Sequence, residues 1–161
     1  MTGEIERLLD ETGWHLLYEL QQQARLSYSE LGQRVGLSAP AVSERVRKME
    51  EVGVIAGYHA DINLDKVGLP VRAIIRMGLG AGQSSVRAIA GVRELPEVLE
   101  CSRVMGSDTL VLTVVASSVE HLEGLIDRLL VYGPLTSSMV LSMPVKRRAV
   151  TREVVSLSVI R

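Results

Sequence analysis

Phenylalanine is absent from this 161-residue chain, and aromatic side chains together make up only 3% of it. Leu, Val, Ile, Ala and Met must therefore fill any core, which suits small packed units better than a large cofactor pocket. With a single cysteine, Cys101, no intramolecular disulfide can form, and a reducing, cytoplasmic setting is expected. Its apolar-rich neighbourhood, Val98-Leu99-Glu100-Cys101, assigns it to packing rather than redox or catalytic work. The three histidines, His15, His59 and His121, are far apart in sequence and give no metal-ligand spacing, so neither metal nor cofactor is expected. No apolar run approaches the roughly 18–20 residues that cross a bilayer, and the acidic stretch Met1 to Asp10 lacks the apolar centre of an export signal. The expectation is a protein neither membrane-spanning nor exported.

Basic residues are not in excess. Lys and Arg number 18 against 19 Asp and Glu, and residues 1–66 are themselves acidic, with seven basic against eleven acidic side chains. A chain that coats nucleic acid through overall positive charge is thereby excluded. Phosphate binding needs only a local basic face, however, and Arg34, Arg45, Arg47 and Lys48 fall within fifteen positions. Residues 67–161 carry eleven basic against eight acidic side chains, including the run Lys146-Arg147-Arg148, expected at a solvated strand end. Hydrophobic residues at 47% and charged residues at 23%, without low-complexity stretches, describe a globular chain rather than a disordered one.

From Ile5 the apolar positions Leu8, Leu9, Leu16, Leu17 and Leu20 recur at helical spacing, interrupted by Gly13, and predict a first helix over about 12–23. Ser27-Tyr28-Ser29-Glu30 is a capping-box sequence: the Ser hydroxyl satisfies an orphan amide while Glu30 reaches back. A second, short helix starts after Ser27 and ends at Gly36, placed as a left-handed cap. Ser38-Ala39-Pro40 repeats the start signal, with Ser38 as N-cap and Pro40 in the first turn, where its missing amide hydrogen does no harm. This third helix runs to about Glu51 and stops at Gly53. Two helices separated by so short a turn containing Gly form the helix-turn-helix pattern.

The next stretch, Val54 to Ile62, reads as a β-hairpin with Gly57 near its turn, which would form a wing, and Asn63 to Pro70 as a linker. Beyond Pro70 the order becomes strand Val71–Met77, helix Ser85–Leu95, strand Val98–Met105, strand Leu110–Ala116, helix Val119–Val131 and strand Met139–Val145. The expected class is α+β: a winged helix-turn-helix over 1–60, a linker over 61–70, a ferredoxin-like βαββαβ sandwich over 71–148, and a tail over 149–161 able to add an edge strand.

At roughly 100° per residue, the third helix places Val42, Val46 and Met49 on one side and Pro40, Ala41, Ser43, Glu44, Arg47 and Lys48 on the other. The first set packs and the second faces outward. N-terminal residues of such a helix reach base edges in the major groove, so Pro40, Ala41, Ser43, Glu44 and Arg47 are the expected base-contacting set. Arg45 and Lys48 are expected at phosphates, and Ser38 at the N-cap belongs to the same DNA-facing surface. Ser43 can donate or accept, Glu44 can accept from cytosine N4, and Arg47 can grip guanine through two parallel hydrogen bonds. An isolated amphipathic helix with these charges would be an ordinary solvated face; the capping-box helix and tight turn before it and the expected wing after it argue for the DNA-reading role.

Taken together, Leu9-Asp10, Leu20-Gln21, Ala24-Arg25-Leu26-Ser27, Glu30-Leu31-Gly32, Val35-Gly36-Leu37-Ser38, Arg45-Val46 and Met49 through Ile55 resemble the Lrp/AsnC family of leucine-responsive regulators. The likeness continues through Gly57-Tyr58-His59-Ala60, Leu95 to Glu100 and Met105 to Leu112. The resemblance implies a transcriptional regulator whose C-terminal domain pairs through its sheet into a dimer. It further implies assembly into rings such as octamers and amino-acid effectors bound between dimers. By the same analogy the effector loop falls on Gly106, Ser107, Asp108 and Thr109, with Thr136 and Ser138 near the start of the last strand. The sequence departs from many members in two places: Thr109 stands where an acidic residue often holds the effector's amino group, with Asp108 one place earlier, and Gly13 stands where Asp is frequent. Without the family, Gly106-Ser107-Asp108 is a plain turn.

Two other functions fit the same residues. Haem-precursor decarboxylases resemble this family in both halves, and His59 or His121 would then serve a tetrapyrrole pocket in an enzyme. A protein that coats DNA without any effector is the remaining alternative.

Overall fold

The computed structural model describes residues 3–157. Two compact units emerge, one formed by the chain up to Ala60 together with the segment from Val145, the other by Asp61–Pro144.

In the first unit, helices α1 (Gly3–Leu8), α2 (Glu11–Gln22), α3 (Tyr28–Val35) and α4 (Ala39–Glu51) follow one another. Their boundaries are set by side chains that satisfy orphan amides. The Asp10 carboxylate accepts from Gly13 N at 2.7 Å to start α2. The Ser27 capping box is complete, with Ser27 Oγ accepting from Glu30 N and Glu30 accepting from Ser27 N at 2.8 Å. Gly36 ends α3 in the left-handed region at φ 72°, which lets the chain reverse within three residues into the Ser38 cap of α4. Leu16, Leu20, Leu26, Leu31, Val42 and Val46 close a core between these helices, with Val35, Leu37 and Ile55 against its edge. The fully buried Leu16, Leu31 and Met49 each contribute about 1.5–3 kcal/mol through burial.

The second unit holds a 3-10 turn (Leu64–Val67), strand β1 (Val71–Met77), helix α5 (Ser85–Arg93), strands β2 (Val98–Arg103) and β3 (Leu110–Ala116), helix α6 (Val119–Leu130) and strand β4 (Leu135–Met139). All pairings in the sheet are antiparallel, in the order β2-β3-β1-β4. One face, carrying Ala73, Ile75, Met77, Leu110, Leu112, Val114 and Ala116, is buried with Ala88 and Val92 of α5 and Leu122, Leu125 and Leu129 of α6. The period-2 alternation of strands sends Arg72, Ile74 and Arg76 to the other face, where Ile74 is 41% exposed.

Four expectations differ from the structure. The helix expected over about 12–23 is found as α2, Glu11–Gln22, but a separate helix α1, Gly3–Leu8, precedes it, because Asp10 caps a new start and breaks the run from Ile5. Val54 to Ile62 forms no ladder. An isolated two-stranded hairpin needs a buried face to fix its register, and here only Ile55 reaches the core while Tyr58 and Ile62 stand 46% and 57% exposed. The last strand is Leu135–Met139 rather than Met139–Val145. Hydrogen bonds from Gly78 N to Pro134 O and from Gly80 N to Tyr132 O set its register early. By Val140, whose N–H reaches Arg72 O, the seven residues of β1 are used up. The tail adds no edge strand among the described residues; Arg152–Leu157 is helix α7, and residues 158–161 of that expectation lie outside the described residues. Just before α7, the Gln21 amide clasps the Val150 backbone, accepting its N–H at 2.9 Å and donating to its C=O at 3.0 Å.

Candidate nucleic-acid interface

The α3–turn–α4 unit holds α4 by Val42, Val46 and Met49, all buried, and leaves Pro40, Ala41, Glu44, Arg47 and Lys48 exposed, with Ser43 half-buried. Ser38 spends its hydroxyl on the cap, accepting from Ala41 N at 3.4 Å. Arg45 is placed differently from the other cations. It donates two parallel hydrogen bonds of 2.7 Å to Asp10, the cap of α2, and so ties the middle of α4 to the start of α2. The pairing raises the guanidinium pKa and lowers that of the Asp10 carboxyl, in each case chiefly through these hydrogen bonds. Arg34 on α3 likewise pairs with Glu19 of α2 at 2.5 Å.

Arg47 is enclosed by acids of its own helix. Nη2 lies 2.8 and 3.0 Å from the two Glu44 carboxylate oxygens, Nε lies 3.2 Å from Glu44 Oε2, and Nη1 donates to Glu51. Lys48 Nζ is 3.2 Å from Glu44 Oε1. Hydrogen bonds from Arg47 and then Lys48 hold the Glu44 carboxyl below its ordinary range. At the far end of α4, Tyr58 donates to Glu50 at 2.9 Å, and burial with that bond pushes the phenol pKa up.

In the sheet unit, Gly106 to Thr109 form the connection between β2 and β3, with Gly106 at φ 139°. Val104 N donates to Thr109 O at 3.0 Å, and Thr109 N to Met77 O at 2.9 Å, which brings this loop to the end of β1. The register aligns Leu110, Met77 and Leu135 across three strands, so Thr136 lies one step in from the same end and Ser138 three steps in. Ser107, Thr136 and Ser138 are exposed and Asp108 and Thr109 half-buried. Arg76, exposed between Val111 and Thr136, is a cation beside this group that the sequence reading passed over. Two other relevant side chains were missed: Asp10, because its partner is 35 positions away, and Glu51, although its spacing of four from Arg47 is a helix-pair signal.

Both ring nitrogens of His121 are engaged by neighbouring side chains. Its Nε2 is 3.0 Å from Glu97 Oε1 and its Nδ1 3.0 Å from Ser117 Oγ, with Arg128 also donating to Glu97. Burial works against ionisation of Glu97, but hydrogen bonds from Arg128 and His121 outweigh it and bring the carboxyl down to about 2. The group fastens α6 to the residues preceding β2. Among the described residues no cluster of His, Cys, Asp and Glu could hold a metal ion, and no helix is long and apolar enough to cross a membrane.

Comparison with known proteins bears on both units. Residues 9–50 match the AsnC-type helix-turn-helix domain, and residues 72–150 match the Lrp/AsnC ligand binding domain. An HTH-type transcriptional regulator of Bacillus subtilis, YezC, is 40% identical over 134 residues, covering 83% of this chain and 94% of its own. The structure of B. subtilis LrpC superposes with a TM-score of 0.82 at 30% identity, covering 86% of this chain and 99% of that one. A Neisseria meningitidis transcriptional regulator, solved as a complex with L-methionine, superposes at 0.84 with 26% identity, covering 91% and 99%.

Proposed function

This chain belongs to the Lrp/AsnC family of transcriptional regulators, and on that premise we propose that it binds specific DNA sequences as a dimer under the control of an amino acid. It is a regulator and not an enzyme, as its relatives are. The observation that carries the proposal is the presentation of α4, whose buried stripe anchors it while Pro40, Ala41, Ser43, Glu44, Arg47 and Lys48 face outward. Residues 1–60 serve as the DNA-binding domain and 71–148 as the effector and assembly domain. Arg45, engaged by Asp10, reaches a phosphate only by leaving that pair or sharing it.

Pairing of two chains is supported by the open sheet face with exposed Ile74, a surface suited to a second copy. Two readers would then meet half-sites about 34–36 Å apart in a near-palindromic operator. An amino-acid effector is supported by the relative crystallised with L-methionine, and we place it at Gly106, Ser107, Asp108 and Thr109 with Thr136 and Ser138 nearby. With Thr109 at the fourth loop position, Asp108 is the carboxylate available to an amino group. Control follows if the effector binds one DNA-competent assembly better than another.

Salt dependence tests the DNA reading. Phosphate contacts release counterions, so the logarithm of affinity should fall linearly with the logarithm of salt concentration, with a slope of about −0.9 per phosphate neutralised. Affinity unchanged by salt would contradict it.

A further inference from the structure

Resting on the DNA-binding reading, we propose that Glu44 and Glu51 determine specificity through Arg47: they hold its guanidinium as an internal counter-charge that a matching base pair displaces and mismatched DNA does not.

Glu44 accepts from Nε and Nη2 of Arg47, and Glu51 accepts from Nη1, so all three guanidinium nitrogens are engaged in the free protein. The paired donors that would grip a guanine are the ones aimed at the Glu44 carboxylate. Lys48 is held by the same carboxylate and Arg45 by Asp10. Each cation of α4 therefore stands beside an acid, and the helix carries three acids, Glu44, Glu50 and Glu51, against three bases.

Consider α4 on DNA without its target bases. Leaving Glu44 and Glu51 for a phosphate exchanges one anionic acceptor for another, and strands two carboxylates beside the phosphate backbone. Nothing is gained for that repulsion. On a matching site the exchange differs, because a guanine edge offers two neutral acceptors in bidentate geometry, and Glu44 is released to accept from a cytosine amino group. The acids thus act against wrong partners more than for the right one. The pairs are exposed, with Arg47 53%, Glu44 50% and Glu51 56% accessible, so they are weak, screened by salt and easily opened. Helix-stabilising pairs with no further role would have the same spacing, but their loss would leave discrimination untouched.

The test is fluorescence anisotropy of the full chain on the DNA upstream of its own gene and on a scrambled fragment, for wild type, Glu51→Gln, Arg47→Ala and the double variant. Glu51→Gln should tighten binding to scrambled DNA about three- to fivefold and change the native fragment less, lowering their ratio. In the Arg47→Ala background the same substitution should leave the ratio unchanged. Glu51→Ala, measured alongside, should repeat the direction of the Gln variant. Equal tightening on both fragments, or a ratio shift that persists without Arg47, overturns the proposal and leaves the DNA-binding reading standing. Wild type that binds neither fragment, or both alike, removes sequence-specific binding and this proposal together.

Discussion

Arg47→Ala should weaken binding to the native operator by about 5- to 150-fold, the equivalent of the roughly 1–3 kcal/mol that one bidentate base contact adds to discrimination. The side chain is exposed on α4 and its hydrogen bonds go to Glu44 and Glu51 of the same helix, so the fold should survive its removal. On scrambled DNA the loss should be less than about threefold, because there Arg47 acts at most as one phosphate contact among several. The salt slope should accordingly change by no more than about one unit. Quantitative gel shifts on the two fragments check this, and an equal loss on both would make Arg47 a backbone contact instead of a base reader.

Leu31→Ala should lower the stability of the helical unit by about 2–5 kcal/mol. Leu31 is fully buried on α3 within the cluster formed with Leu16, Leu20, Leu26, Val42 and Val46, and this core has few members to redistribute the cavity. For a unit of this size each kcal/mol shifts the midpoint by about 4–8 °C, so a fall exceeding about 10 °C is expected. Trp14, the only tryptophan, lies on α2 of the same unit and reports the transition by fluorescence. An unchanged midpoint would mean that Leu31 does not pack where the structure places it.

What could be read from the sequence was local and chemically specific. The capping box at Ser27, the Gly36 reversal and the Ser38-Ala39-Pro40 start each act within four residues, and α3 and α4 begin where those signals stand. Strands β1 and β3 run over Val71–Met77 and Leu110–Ala116 as expected, because they are central and their short apolar-rich runs bury one face. The misses occurred where a distant partner decides. The register of β4 depends on how far β1 extends, so the apolar-rich Met139–Val145 stretch misled by lying beyond the available ladder. The 54–62 segment has a hairpin's composition without a surface to bury. On α4 the outward face followed from helical period alone, yet the engagement of Arg45 by Asp10 needed the fold. For the loop at Gly106, turn chemistry was legible, whereas its meeting with the end of β1 through Thr109 and Met77 depended on the sheet order.

Base-resolution footprinting of the purified chain on the DNA upstream of its own gene tests the central claim most directly. The account predicts two protected half-sites related by an approximate dyad, centred about one helical turn apart in adjacent major grooves, with protection at guanines in each half-site lost in Arg47→Ala. Uniform protection along the fragment, identical in wild type and Arg47→Ala, would contradict it and point to a protein that coats DNA without reading it.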